Sequence, residues 1–273
     1  MRYALLFLAL IILLSGCISN DIPVKPLVED TVNITILQQE NIIQQNTTEQ
    51  QETITQVTND PNKPPLLLKS IGINLDAYDP ATGRAGDLVF TKDKLQFGIL
   101  FTEYGFIIPA SMSATGQNKR NPQPTFILPM GTKVRSIVDG VVVGVPVLYS
   151  VDYSIQVASD TNSQWRYETE HVINPLVKPG DIVKAGQIIA EVSPHSKENN
   201  AGYGLVEIGL LKGGNSPQHI CPFAYLDPSV KNEIQNKLLA LYKSWEEYHG
   251  DINLHDEIAQ KVPGCLTLGA IEG

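Results

Sequence analysis

The sequence predicts a mainly β fold, an antiparallel β-sandwich or barrel over residues 66–226 with its core at 123–212, followed by a C-terminal helix. Two observations carry this expectation. From Gln123 to Leu210, short apolar runs alternate with Gly, Pro, Asn and Asp turns at regular spacing, the pattern of many short strands in a sandwich or barrel. After Leu226 the apolar spacing changes to that of a helix.

The elements follow in order. Leu66–Leu75 and Leu95–Pro109 are apolar stretches on either side of the turn Asp79-Pro80-Ala81-Thr82-Gly83. Gln123–Leu128 is expected to be a short strand. Val134–Val138 and Gly140–Val147 are expected to pair across Asp139-Gly140, because Gly takes the positive φ of a tight hairpin turn at no steric cost. Val151–Ala158 and Trp165–Val172 flank a polar turn at Asp160–Ser163. Ile182-Val183 and Gln187–Val192 flank Lys184-Ala185-Gly186, and Tyr203–Leu210 closes the set before Gly213-Gly214-Asn215. Residues 227–273 read as a helix and a Cys-tethered tail. Asp227-Pro228-Ser229 supplies a cap and a first-turn Pro, and Gly250 ends the helix. Ile234, Leu238, Leu239, Leu241, Tyr242 and Trp245 give it an apolar face.

The N-terminal residues set an expected compartment. Arg2, the apolar run Ala4–Leu14 and Leu14-Ser15-Gly16-Cys17 have the order of a lipoprotein signal peptide over residues 1–16, with lipid attached at Cys17. An ordinary secretory signal that contains a Cys is the alternative. It shares export and lacks the anchor. Residues 17–65 are rich in Gln, Asn and Thr and too poor in large apolar residues to offset the entropy of ordering. They read as a disordered stalk with an r.m.s. reach of roughly 35–40 Å. Asn33 and Asn46 lie in N-glycosylation sequons. The expected location is therefore the extracytoplasmic face of a cell membrane, reached through the lipid anchor.

The formal net charge is −9 with no block of Lys and Arg, which excludes nucleic acid as a partner. If Cys17 is lipidated, Cys221 and Cys265 are left of the three Cys and are expected to pair in an exported protein. Two buried thiols are the alternative. Neither a Gly-x-Ser-x-Gly nucleophile motif nor a phosphate-binding Gly-x-x-x-x-Gly-Lys motif is present.

Four blocks carry a family resemblance. Pro129-Met130-Gly131-Thr132-Lys133-Val134 followed by Val138-Asp139-Gly140-Val141-Val142 is the first, and Glu170-His171-Val172 the second. The third is the run Val177-Lys178-Pro179-Gly180-Asp181-Ile182-Val183-Lys184-Ala185-Gly186-Gln187, and the fourth is Gly202–Ile208 with Val206-Glu207. Together they resemble the lysostaphin/LytM-type zinc metallopeptidases. The resemblance implies an antiparallel sandwich of the duplicated hybrid motif type. The third block also resembles biotinyl and lipoyl carrier domains, but Ser193-Pro194-His195-Ser196 lacks their lysine tip.

The resemblance also exposes a departure. In those enzymes a His, an Asp four residues later and the second His of an H-x-H strand bind zinc. Counting from Pro129 and from Glu207 puts Asn121, Thr125 and Leu205 at these positions, with Tyr203 at the first His of the strand. Asn and Thr are poor zinc ligands and Leu is none. His171 alone keeps its family identity, and no His precedes it. The expectation is a degenerate domain with no catalytic residue, no metal and no cofactor, binding an envelope protein, peptide or glycan through Asn121, Thr125, His171, Tyr203 and Leu205. Two alternatives stand beside it. One is an active zinc endopeptidase with a metal site rebuilt from His171, His195 and Glu168, Glu170 or Glu207. The other is a surface protein whose groove is filled by Leu95–Arg120.

Overall fold

Strict alternation along one long strand organises the structure. In β13 (Tyr203–Lys212), Gly204, Val206, Ile208 and Leu210 point to one face, and Tyr203, Leu205, Glu207 and Gly209 to the other. The first set is buried and apolar, and the second carries the polar chemistry.

The computed structural model describes residues 60–113, 115–194 and 202–272. The chain divides into two units, Met1–Gln56 and Val57–Gly273, and the described residues belong to the second. The expected signal peptide, Cys17, the stalk up to residue 59, Asn33, Asn46 and His195 lie outside the described residues.

Before β13 come β1 (Arg84–Ala85), β2 (Leu88–Val89), β3 (Phe101–Thr102), β4 (Ile107–Ile108) and β5 (Lys119–Arg120). They are followed by β6 (Thr125–Pro129), β7 (Lys133–Arg135), β8 (Gly140–Gly144), β9 (Tyr153–Ala158), β10 (Trp165–Ile173), β11 (Ile182–Val183) and β12 (Ile188–Val192). β14 (Gln218–His219), the helix α1 (Pro228–His249) and β15 (Ile271–Glu272) complete the chain. One sheet holds eleven of these strands in the order β11-β8-β9-β10-β13-β14-β15. β6 and then β3 extend it from β13, and β12 and then β7 from β10. All of its pairs are antiparallel. The fold is mainly β with one C-terminal α-helix, as the sequence predicts.

The expected hairpin across Asp139-Gly140 does not form. β7 pairs with β12, while β8 pairs with β9 and β11, so residues 133–144 and 182–192 run past each other as two antiparallel stretches. The groups a hairpin would use are already taken. The Ser136 N–H donates to the Gln187 carbonyl (2.9 Å), and the Ile137 carbonyl accepts from Lys69 (3.0 Å). The Asp139 carboxylate accepts from the Ala185 N–H (3.0 Å) and pairs with Lys69 (2.9 Å). Leu66–Leu75 likewise forms no strand. It follows a bent path that puts Leu68, Ile71, Ile73 and Leu75 in the core, with Gly72 at φ 81° and the Leu68 N–H donating to the Tyr225 carbonyl at 2.9 Å.

The core sits on the apolar face. Cross-strand partners share a face, so Val157, Tyr167 and Leu210 form one buried row, Ile155, Thr169 and Ile208 the next, and Phe101, Phe126 and Val206 a third. α1 adds Leu238, Leu241, Tyr242 and Trp245 to the core. The Asp227 side chain caps the helix through the Ser229 N–H, and Gly250 ends it at φ 72°. Cys221 and Cys265 are bridged, with Cα atoms 6.1 Å apart, which fastens the tail beyond the helix.

Candidate functional site

The opposite face of the sheet is polar. The register places Gln156, Glu168 and Gly209 in one row, and Glu170, Glu207, Thr125 and Thr102 in the next. Leu205 and Ile127 follow, and Leu211 opposite His219 lies on the other side of Gly209. Gly209 makes this arrangement possible. A Cβ there would lie 2.6 Å from Gln123 Nε2 and 2.9 Å from Glu168 Oε2, so the two polar side chains occupy the space that it leaves.

His171 reaches this face through a bulge. The pairing of β10 with β9 shifts register between Thr169 and Val172, and His171 adopts φ 57°. Simple alternation would put its ring beside Thr169 in the core. The extra residue re-aims it, as bulges do. His171 Nδ1 now faces Asp152 Oδ2 (3.1 Å) and Ser150 Oγ (3.2 Å), and Nε2 lies 3.7 Å from Glu207 Oε2.

Asn121 and Thr125 are both buried and bonded to each other. Asn121 Nδ2 lies 3.2 Å from Thr125 Oγ1, 3.1 Å from Thr102 Oγ1 and 3.4 Å from the Glu103 carbonyl. The Thr125 hydroxyl sits 3.0 Å from the Gln123 carbonyl and 3.5 Å from Glu207 Oε1. Glu207 therefore joins Asn121 and Thr125 to His171. Leu205 is buried on the same face, opposite Ile127. Tyr203 starts β13 opposite Pro129 and is half-buried. The structure thus brings together three of the five expected site residues through polar contacts and sets Leu205 beside them.

Charge crowding marks the face. Glu170 stands directly opposite Glu207, and Glu168 is two residues away. Burial raises the Glu170 carboxyl, and the Glu168 and Glu207 charges add to the rise. Burial also raises Glu207, against the charges of His171, Lys119 and His219 and the Thr125 bond. For His171, burial disfavours the imidazolium, but the Asp152 bond and the Glu207, Asp152 and Glu170 charges outweigh it and raise the ring's pKa. Asp152 moves the other way: burial is outweighed by bonds from His171, Ser150 and Ser193. Glu168 is held by Gln156 Nε2 (2.9 Å) and faces His219 Nε2 (3.2 Å).

Asp152, Ser150, Gln123, Ser154 and the partnership of His219 with Glu168 belong to no motif in the sequence. Only the spacing of Glu168 and Glu170, two apart on one strand, signalled a shared face. Nothing in the sequence announces a non-glycine residue at positive φ, so the bulge that aims His171 had no signal.

Zinc would need ligand atoms converging on one point. The site residues do not supply them. The Asn121 amide and Thr125 hydroxyl are spent on each other and on residues 102, 103 and 123, Leu205 has no donor atom, and His171 Nδ1 is committed to Asp152. Among the described residues, no group of three or more His, Cys, Asp or Glu is placed to hold a metal ion.

Residues 124–214 match peptidase family M23, and this stretch is similar to domains of the LytM/lysostaphin type. Among solved structures, LytU is 26% identical, over 43% of this chain and 76% of its own, with a TM-score of 0.35. A catalytic-domain variant of the prophage-encoded M23 protein EnpA from Enterococcus faecalis is 25% identical, over 38% and 77%, with a TM-score of 0.31. The catalytic domain of lysostaphin from Staphylococcus simulans is 23% identical, over 42% and 80%, with a TM-score of 0.33. No curated protein matches the chain. An M23 domain is consistent with a role related to the cell wall.

Proposed function

We propose that this chain is a lipid-anchored, extracytoplasmic protein whose M23 domain binds a partner at the cell envelope and does not hydrolyse peptides. The observation that carries the reading is the fate of the ligand positions. Asn121 and Thr125 form a buried hydrogen-bonded pair that fastens the β3 segment to β6, and Leu205 packs opposite Ile127. Side chains used in this way are wall and core. They are not an open first shell able to lower the pKa of a metal-bound water. His171, held by Asp152 and set 3.7 Å from Glu207, then serves as a polar group on a binding face.

Anchorage follows from the lipoprotein-type N-terminus and Cys17. The test of function is hydrolysis of purified cell-wall peptides by the full chain with and without added zinc. The expected result is no cleavage in either case, and no gain when zinc is added. Zinc-dependent cleavage abolished by His171→Ala would establish the peptidase alternative.

A further inference from the structure

The loop between β8 and β9 carries an exposed apolar tip beside the polar face. Val147 is 62% exposed, Tyr149 85% and Val151 83%. Isolated exposed hydrophobics need no explanation, but three within five residues on one loop form a patch, the usual mark of an interaction surface. The tip is fixed in place. The Leu148 N–H donates to the Asp152 carbonyl (2.7 Å), and the Val151 N–H to the Leu148 carbonyl (3.0 Å). It also adjoins the site: the Tyr149 ring lies 6.1 Å from the His171 ring, edge to face, and Ser150 Oγ lies 3.2 Å from His171 Nδ1.

What fits this surface follows from its charge. Next to the tip, Glu170 and Glu207 oppose each other across two strands with Glu168 and Asp152 nearby, and His171, His219 and Lys119 are the positive groups that act on Glu207. An occupant that brings a positive group is drawn in, and one that brings carboxylates or phosphates is repelled. The chain's net charge of −9 argues in the same direction against a second copy of itself and against anionic lipid. We propose that the 147–151 tip and the carboxylate wall form one docking surface for a basic polypeptide segment, with Lys or Arg side chains at Glu170 and Glu207 and a neighbouring apolar side chain on Tyr149 and Val151. This rests on the binding-module reading above and adds the chemical class of the partner.

The test uses the full chain carrying Cys17→Ser, so that a lipid anchor does not enter. The probes are a fluorescent decapeptide alternating Leu and Lys, its Leu–Glu counterpart, and phosphatidylcholine vesicles. The Leu–Lys peptide is expected to bind saturably, more weakly as salt rises, and at least about tenfold tighter than the Leu–Glu peptide. Tyr149→Ser, at an exposed position that does not endanger folding, should weaken it about tenfold, as should Glu170→Gln. Equal binding of the two peptides, or full affinity in both variants, overturns the proposal. So does sedimentation with the vesicles that is lost in Tyr149→Ser without any peptide binding, which would make the tip a lipid contact. Zinc-dependent hydrolysis by the chain would remove the reading beneath. A chain that neither hydrolyses peptides nor discriminates between the two probes removes this inference alone.

Discussion

Replacing Glu170 by Gln is expected to stabilise the fold at neutral pH, although Glu170 sits within the central sheet. Glu170 and Glu207 are direct cross-strand partners. Directly opposed side chains start about 5 Å apart, and two carboxylates at about 5 Å in an effective dielectric near 20 repel by about 3 kcal/mol. Gln keeps the shape and removes the charge, but also removes an attraction to His171 of about 1–2 kcal/mol. The net gain is about 1–2 kcal/mol. Its pH dependence has a definite sign. Burial and neighbouring charge raise both Glu170 and Glu207, so the folded state holds protons that the unfolded chain releases. Their favourable contribution is complete below the ordinary glutamate value of 4.5 and is lost as pH rises through the raised values. His171 acts in the same sense above its ordinary value of 6.5. Asp152, which is lowered, contributes above its ordinary value of 3.8 and loses that contribution as pH falls through its lowered one. The advantage of Glu170→Gln is therefore expected to be near zero at about pH 4 and full at about pH 7.5. Urea unfolding of parent and variant at both pH values, followed by tryptophan fluorescence, measures it. A variant less stable than the parent at the higher pH, or an equal difference at both, would refute the account of charge crowding.

Three further outcomes follow from other parts of the chain. Replacing Cys221 and Cys265 together by Ser removes a bridge between residues 44 apart in sequence. The loss is expected to be about 4 kcal/mol by the loop-entropy relation, read from urea midpoints under non-reducing conditions. His255→Leu takes from the buried Glu103 its hydrogen-bond partner at 2.9 Å, His255 Nδ1, and leaves it Gln260 Nε2 at 3.3 Å. That is expected to cost about 1–3 kcal/mol, and adding Glu103→Met should recover most of the loss in the same assay. Cys17→Ser is expected to move the mature chain from the membrane to the soluble fraction, and a variant that stays fully membrane-bound would contradict lipid anchorage.

How far the sequence was legible depends on the kind of information. The apolar run Tyr203–Leu210 before Gly213-Gly214 and the apolar spacing after Asp227 were strong local signals, and they correspond to β13 and α1. Asp139-Gly140 was a misleading one. Its local preference for a tight turn was overridden because residues 136–139 bond to Lys69, Ala185 and Gln187, partners far away in sequence. At the site, the substituted positions Asn121, Thr125 and Leu205 could be counted from fixed anchors. What they do instead could not, since it depends on Thr102 and Glu103 reaching β6 from another segment. The same holds for His255, whose pairing with Glu103 spans 152 residues and leaves no mark in local pattern.

In this M23-like domain Asn121, Thr125 and Leu205 serve as wall and core. The most direct measurement is zinc content of the full chain purified without chelator and then equilibrated with excess zinc and desalted. The account predicts far less than one zinc per chain, unchanged by His171→Ala. One zinc per chain, lost on His171→Ala, would contradict it.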